Sequence, residues 1–521
     1  MATVHQVIGL NGRQNMKFSQ AFALDKIQAE LDFVDVELNG DTPLYVDPFA
    51  LSLRKDDWSM RCTRHIVSFF QSALTAIHNE DEQLAHSILS NLSEPNETRL
   101  GKSEGAPRGR GVSGKQSLDL YEALADSEAA KTGVLSEIAE CDLFIEGIGP
   151  DKISDITTNI IRALLVEYTQ AQCLLHGIAT IEVPVGSFWD IETDSWTSVY
   201  AQLPVWNGTK ILLVPKAIVR FRMSLDSQEY YNHFVLNFLQ AEHIRAGSSL
   251  VKVFKKSKQP YVTKKSLKEI HPYSKTELYK FTKHHPEVLG LYKKLERKER
   301  TAQDDALDPD FNLSAFCDAL SERLRAIPPG RTNANAFHSL MIGAIEFLFY
   351  PALMYPVKET PINEGRKRID ISYTNAARQG FFYGLHTARQ VASNLVMVEC
   401  KNYTDDLGNP EVDQLVGRFS INRGRFGILI ARTCADRALM NSRCKDVAQA
   451  GNGFVVALFD EDILEMLTSI KARDFGAVDR KLDGMFRQGG LKFEVQHPAS
   501  GFHCRTLPWE FEIRGRRAAL C

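Results

Sequence analysis

The sequence predicts a multi-domain α/β protein, and three observations carry that expectation. The chain has 521 residues, more than one ordinary hydrophobic core serves. Apolar residues make up 44% and charged residues 24%, the balance of a soluble globular protein. Segments that alternate with period 2, or are uniformly apolar, take turns with segments of period 3.6. The expected layout is an N-terminal mixed α/β domain over 1–250 and a basic, largely helical connection over 251–330. An α/β domain over 331–470 and a C-terminal extension over 471–521 follow.

No stretch approaches the roughly 18 uninterrupted apolar residues of a membrane span. The opening residues, Met1 to Asn11, lack both a basic n-region and a long apolar h-region, so a soluble cytoplasmic protein is expected. Nine cysteines are scattered singly, which argues against a zinc ribbon and against a disulfide framework.

In the first domain, 32–38 and 44–49 read as strands broken by the turn signal Asn39-Gly40-Asp41. A helix is expected over 61–79, and a mobile polar loop over 95–116. That loop contains Gly109-Arg-Gly-Val-Ser-Gly114 followed by Lys115-Gln116. It lacks a preceding strand and the Ser or Thr that a phosphate-binding loop needs after its lysine, so neither a dinucleotide nor an NTP site is read there. Residues 142–147 read as a short strand and 154–175 as one helix capped by Ser154 or Asp155. Residues 211–215 and 217–221 read as further strands.

From Lys252 to Arg300 the chain carries 15 Lys/Arg against 5 Asp/Glu, with Tyr261, Tyr273, Tyr279, Phe281 and Tyr292 interleaved. Such a run either neutralises phosphates and stacks on bases or is a solvated lysine-rich surface.

The chemistry is expected in 335–460. Phe337, Leu340, Met341, Ala344, Ile345, Leu348 and Phe349 form the apolar face of a helix that Asn333 or Asn335 can cap. In Arg368-Ile-Asp370-Ile-Ser-Tyr373, strand alternation sets Asp370 opposite Ile369, Ile371 and Tyr373. In Leu395-Val-Met-Val-Glu399-Cys-Lys401 it sets Glu399 and Lys401 on one face. Two carboxylates brought together repel unless a cation separates them, which suits a hard ion such as Mg²⁺ that keeps waters and a substrate phosphate as remaining ligands. Val412, Leu415, Val416 and Phe419 give a second helix with Gln414 and Arg418 sharing another face. Phe426 to Arg432 reads as a short buried strand, apolar through Ala431, and 454–459 adds another strand with a helix capped by Asp460.

The segment 335–460 resembles the PD-(D/E)XK, or restriction-endonuclease-like, nuclease superfamily, Mrr-like members included, whose core runs α-β-β-β-α-β. Asp370 matches the first acid, and Glu399 with Lys401 matches the (D/E)XK element; Ile369 stands where the family name has proline. The resemblance implies that Asp370, Glu399 and the Cys400 backbone carbonyl hold Mg²⁺, for which Mn²⁺ can substitute, and that Lys401 activates the attacking water. It places Gln414 at the helical glutamine of some members, and Glu346 at an acid that some carry in the first helix. Glu346 lies opposite that helix's apolar stripe, so a solvent-facing carboxylate is an equal reading. The connection between the acids, with Arg378, His386 and Arg389, is expected as a loop over the substrate.

The function implied is Mg²⁺-dependent endonucleolytic cutting of DNA, by analogy within a prokaryotic antiphage system, with a partner defence protein and a homo-oligomer as expected associations. The alternatives are a nucleic-acid-binding scaffold built on a non-cutting nuclease fold, and a nuclease for RNA or single strands.

Overall fold

A computed structural model of the chain describes residues 16–101, 121–131, 135–255, 257–299, 311–358 and 371–489. The protein is mixed α/β, with helices outnumbering strands and one sheet larger than the rest. Among the described residues no helix is long and apolar enough to cross a membrane.

The N-terminal part is mostly helical. Helix α1 (Asp57–His78) starts where the Asp56 carboxylate accepts the Ser59 N–H at 2.8 Å, and it buries Cys62, Ile66, Phe69, Phe70 and Ala73 along one stripe. The expected strand at 142–147 is instead the short helix Cys141–Phe144. Leu143, Phe144 and Ile145 are all buried, and so short an apolar run does not distinguish helix from strand.

The long helix expected over 154–175 is two, α2 (Pro150–Ile160) and α3 (Arg162–His176). The first begins at Gly149, with Pro150 in the first turn, where a missing N–H costs nothing. Ser154 does not cap it, because its hydroxyl accepts the Val46 N–H at 2.9 Å. Just before the break, Thr157 and Thr158 donate their hydroxyls back to the carbonyls of Ile153 and Ser154, a bonding pattern that bends helices.

The expected strands near 32–49 and 211–221 shrink to short contacts. Tyr45–Val46 pairs antiparallel with Val219–Arg220, and Phe33 bridges Pro215. The regular ladder in this part is a hairpin that the pattern did not reveal, β1 (Ile181–Asp190) with β2 (Ser195–Leu203). Pro184 and Gly186 interrupt its alternation, and a register shift falls between Pro184 and Ser187. The buried Trp189 faces Trp196 across the ladder and meets Phe69 of α1 edge-on at 5.2 Å.

A helical unit follows the N-terminal part. Helix α4 (Leu236–Arg245), preceded by a π-helical turn over Tyr230–Val235, packs with α5 (Lys264–Ile270), α6 (Lys275–His284) and α7 (Pro286–Glu299). Tyr230 stacks on Tyr292 at 5.4 Å and 19°, so the unit starts near residue 227 rather than 251. Helix α8 (Leu313–Ala326), placed by the sequence in the basic connection, contributes Phe316, Cys317, Leu320 and Leu324 to the core of the following domain.

That domain is built on α9 (Ala334–Phe349) and five strands. These are β3 (Leu353–Val357), β4 (Ile371–Asn375), β5 (Leu395–Lys401), β6 (Phe426–Ala431) and β7 (Phe454–Phe459). The sheet order is β7-β6-β5-β4-β3; the β3-β4-β5 pairs are antiparallel and the β5-β6-β7 pairs parallel. Helix α10 (Gly380–Thr387) lies between β4 and β5, α11 (Asn409–Val416) between β5 and β6, and α12 (Arg437–Gln449) between β6 and β7. Helices α13 (Asp460–Lys471) and α14 (Gly476–Gly489) follow, and α14 packs against β7 and α12. The domain therefore continues past 470 through an amphipathic helix that buries Val478, Leu482 and Phe486.

One sheet face, with Ile371, Tyr373, Val396, Val398, Ile428 and Val456, packs under α9 and α13. The other, with Met397, Leu429 and Val455, packs under α11 and α12. The edge strand β3 is covered by the N-terminal part. Asp32 accepts the Tyr355 N–H at 3.2 Å, the Gln172 amide donates to the Pro356 carbonyl at 3.2 Å, and the hydroxyls of Ser59 and Tyr355 lie 3.1 Å apart.

A candidate carboxylate–lysine site

Strand β5 carries the site. Its side chains alternate, so Val396 and Val398 enter the core under α9 while Met397 turns to the opposite face. Glu399 and Lys401 continue the Met397 side, and their charged groups meet at 2.5 Å, Lys401 Nζ to Glu399 Oε1. Glu399 is wholly buried.

Helix α11 covers this face. Its N-terminus is fixed by the Glu411 carboxylate, which accepts the Gly408 N–H at 2.8 Å. Val412 and Leu415 anchor it to the sheet, and this phase points Gln414 at the site, where Lys401 Nζ donates to Gln414 Oε1 at 3.4 Å. One turn later, Arg418 Nη1 reaches Glu399 Oε2 at 2.9 Å. The shared face of Gln414 and Arg418 is thus the face turned to β5.

Burying a carboxylate and a guanidinium costs several kcal/mol each, which charge-assisted hydrogen bonds between them offset. Arg418 uses only part of its capacity. Its Nε and Nη2 are buried and have no acceptor among the described residues. Such orphan donors are uncommon in native interiors.

The strand end just past the site is tied down by residues that sequence reasoning missed. Asn402 donates to the carbonyls of Pro328 and Gly330 at 3.1 and 2.8 Å and accepts the Gly330 N–H on its own carbonyl. Arg432, at the end of β6, bonds Asp460, the Ile327 and Leu324 carbonyls and the Asn402 side chain, and its guanidinium lies 5.0 Å from the Phe337 ring centre. Their only sequence signal is position, each following directly on the last residue of a strand.

Of the residues expected at the site, Glu399, Lys401 and Gln414 come together. Asp370 lies outside the described residues. The ladder beside it places Ile371 opposite Val398, one residue before Glu399 on β5. Cys400 stands between Glu399 and Lys401 and pairs with Ile430 of β6.

Glu346 does not join them. It projects from α9, on the other side of the sheet, toward the N-terminal part, and is 1% exposed rather than solvent-facing. Its carboxylate lies 3.0 Å from Lys216 Nζ. Burial pushes its pKa up to about 7; the attraction of Lys216 opposes this and the repulsion of Asp32 adds to it. The stripe rule failed because this helix is covered on its second side as well. Lys26 Nζ donates to the Ser339 carbonyl at 2.7 Å, and Gly343 lies directly beneath Glu30.

The connection between the acids is not a loop over the site. It leaves β4 at Asn375 and enters β5 at Leu395, the strand ends away from Lys401, because the two strands are antiparallel. Arg389 there packs against Phe381 and Phe486 and bonds Asp483, and His386 lies 3.3 Å from the Ser393 hydroxyl.

The basic region divides in two. Lys275 and Lys293 are drawn inward, onto Asp142 at 3.4 Å and Glu137 at 2.5 Å, and Tyr279 and Tyr292 are core residues, not a stacking surface. Among its exposed parts is a hairpin, Lys252–Val253 with Pro260–Tyr261. There the half-exposed Phe254 stacks on Tyr261 at 4.0 Å among Lys252, Lys255 and Lys258.

Among the described residues no group of three or more His, Cys, Asp and Glu side chains is placed to hold a metal ion. The motif at Gly109 to Lys115 lies outside the described residues.

No curated protein and no solved structure matches the chain. Residues 23–226 match a family model described as a domain of unknown function, DUF8370. The match ends where the helical unit begins, and it contains none of Glu399, Lys401, Gln414 and Arg418.

Proposed function

We propose that the C-terminal domain is a metal-dependent endonuclease that hydrolyses DNA phosphodiester bonds. The observation that carries this reading is the convergence of Glu399, Lys401, Gln414 and Arg418 on one face of β5. The order of elements supports it. Helix α9, strands β3, β4 and β5, helix α11 and strand β6 follow the α-β-β-β-α-β succession of the PD-(D/E)XK core, with α10 inserted between β4 and β5. The strand missing from the sequence pattern is β3.

The donor chemistry fits a hard divalent ion. A carboxylate and a neighbouring main-chain carbonyl lie at the strand end, and a second carboxylate, Asp370, precedes β4 in sequence. Asp370, Glu399 and the Cys400 carbonyl would hold Mg²⁺, or Mn²⁺ in its place. The ion, when bound, supplies a Lewis acid and a water of lowered pKa.

The remaining work falls to the chain. Lys401, held between Glu399 and Gln414, orients the attacking water and balances the charge developing on the phosphate. Arg418 fixes the orientation of Glu399, and a phosphate oxygen is the kind of acceptor that its two orphan N–H groups match. The exposed lysines and stacked aromatics of the 252–261 hairpin suit the nucleic-acid backbone and bases.

One observation favours a second reading, a nucleic-acid-binding scaffold. Glu399 is fully buried and already faces two cations, the arrangement of a purely structural ion cluster.

One experiment separates the two. Supercoiled plasmid, linear duplex and RNA are incubated with the purified protein and Mg²⁺, Mn²⁺ or EDTA. The nuclease reading expects metal-dependent cutting that is lost in Asp370→Ala and in Lys401→Ala. Cutting that survives either substitution sinks the site assignment, and no cutting of any substrate supports the scaffold.

A further inference from the structure

The hairpin of β1 and β2 belongs to the N-terminal part, away from the Glu399 site. Among the described residues neither of its strands pairs with a third. Each outer edge therefore presents main-chain N–H and C=O groups to a new strand. A two-stranded sheet is marginal in water, and in this one only Val185, Trp189 and Leu203 are fully buried.

The two edges differ. Strand β1 is guarded: Pro184 has no N–H to give, a register shift follows it, and Glu182 and Asp190 add charge. Strand β2, Ser195-Trp-Thr-Ser-Val-Tyr-Ala-Gln-Leu203, has none of these devices. Asp194 precedes it, and the next charged residue is Lys210. Trp196, Thr197, Val199 and Tyr200 all favour extended pairing. At its centre Val199 is 46% and Tyr200 70% exposed, although alternation sends them to opposite faces. Both faces are thus open there, as well as the edge.

An uncharged strand is complementary to itself. In an antiparallel pair about a two-fold axis at Val199, Ser195 would face the second copy's Leu203, and Val199 its own counterpart. No like charges are opposed. Asp194 would fall opposite Pro204, so the two Asp194 carboxylates stand roughly 30 Å apart along the ladder, several screening lengths. Because the far edge of β1 is blocked, growth stops at four strands, and the assembly closes as a dimer instead of propagating as a fibre.

We infer that a second copy of this chain occupies the open edge of β2, giving a four-stranded antiparallel sheet in the order β1-β2-β2-β1. Main-chain hydrogen bonds supply the affinity, and Val199 and Tyr200 supply cross-strand contacts. The inference stands whether or not the sheet domain cuts DNA.

The test is the mass of the full-length protein in solution, by sedimentation velocity and light scattering from about 1 to 100 µM. The wild type is expected to pass from monomer to dimer in that range, without larger species. Val199→Lys and, separately, Val199→Glu set like charges face to face at the axis, and each is expected to weaken the dimer at least about tenfold. Val199→Thr, uncharged and still branched at Cβ, is expected to stay within about threefold of the wild type. Mixing the Val199→Lys chain with the Val199→Glu chain is expected to restore the dimer, a rescue that misfolded chains would not give. Glu182→Lys, on the guarded strand, is expected to leave association unchanged. A wild type that stays monomeric throughout the range overturns the inference. So does a dimer that survives both charged substitutions, or one that both abolish and mixing does not restore.

Discussion

Replacing Glu346 by glutamine tests how burial and pairing compete in the joint between the two halves. The carboxyl is fully buried, and its pKa stands at about 7 in place of the ordinary 4.5. A raised carboxylic acid holds its proton more tightly in the folded state than in the unfolded one. Its contribution to stability is complete below pH 4.5 and is lost as pH rises through 7. Two and a half pKa units correspond to roughly 3.4 kcal/mol at full span, of which about 2.5 kcal/mol falls between pH 5 and 8.5.

Glutamine has nearly the shape of the protonated acid and does not titrate. Glu346→Gln is therefore expected to match the wild type within about 1 kcal/mol at pH 5, and its advantage is expected to grow by about 2.5 kcal/mol between pH 5 and pH 8.5. The assay is urea denaturation of both proteins at half-unit intervals of pH. A chain of this size need not unfold in one step, so the quantity read is the difference between the proteins at the transition that includes α9. If Lys216 instead kept Glu346 charged throughout, removing the charge would cost about 3–5 kcal/mol at every pH. A deficit of that size without pH dependence would refute the argument.

Three further outcomes follow from the geometry. Arg418→Met leaves Glu399 buried with one cation fewer and is expected to cost about 3–5 kcal/mol in the sheet domain, read from the denaturation midpoint; a loss under about 1 kcal/mol contradicts the buried pairing. Lys255→Glu with Lys258→Glu in the 252–261 hairpin is expected to reduce duplex binding and to flatten its salt dependence, the slope falling by about 2 for two lost phosphate contacts. An unchanged slope removes the hairpin from the interface. Gly424→Ala is expected to destabilise by more than about 2 kcal/mol in thermal unfolding, because φ is +136° and a Cβ would sit 2.5 Å from the Leu395 carbonyl oxygen.

The sheet domain was legible where apolar periodicity was unbroken. Helix α9 and strands β5, β6 and β7 match runs that a uniform rule finds, because both sheet faces are covered and each run is apolar. Strand β3 was hidden by its own chemistry. Pro356 interrupts it, Tyr355 adopts φ +52°, and the register with β4 shifts between Ser372 and Thr374. These are features of an edge strand, whereas the pattern rules describe central ones. In the N-terminal part, extended segments such as 32–38 make single bridges rather than ladders, so a local strand preference had no partner to complete it.

The site was half legible. Alternation alone sets Glu399 beside Lys401, and the i, i+4 spacing of Gln414 and Arg418 marks a shared face. What that face meets is a tertiary fact, as is the displacement of Glu346. A stripe rule reads one neighbour per helix, and α9 has two.

The cover on β3 has a consequence for how this protein can change over time. A sheet edge left open recruits other strands, and here the guard is Asp32, Ser59 and Gln172, residues within the segment that matches the family of unknown function. The guard and the guarded strand must therefore be inherited together. A recombination that moved the sheet domain to another chain without residues 23–226 would release an unpaired edge as well as an enzyme candidate. Truncations made for crystallography meet the same constraint, and a soluble fragment would have to carry a replacement for that cover.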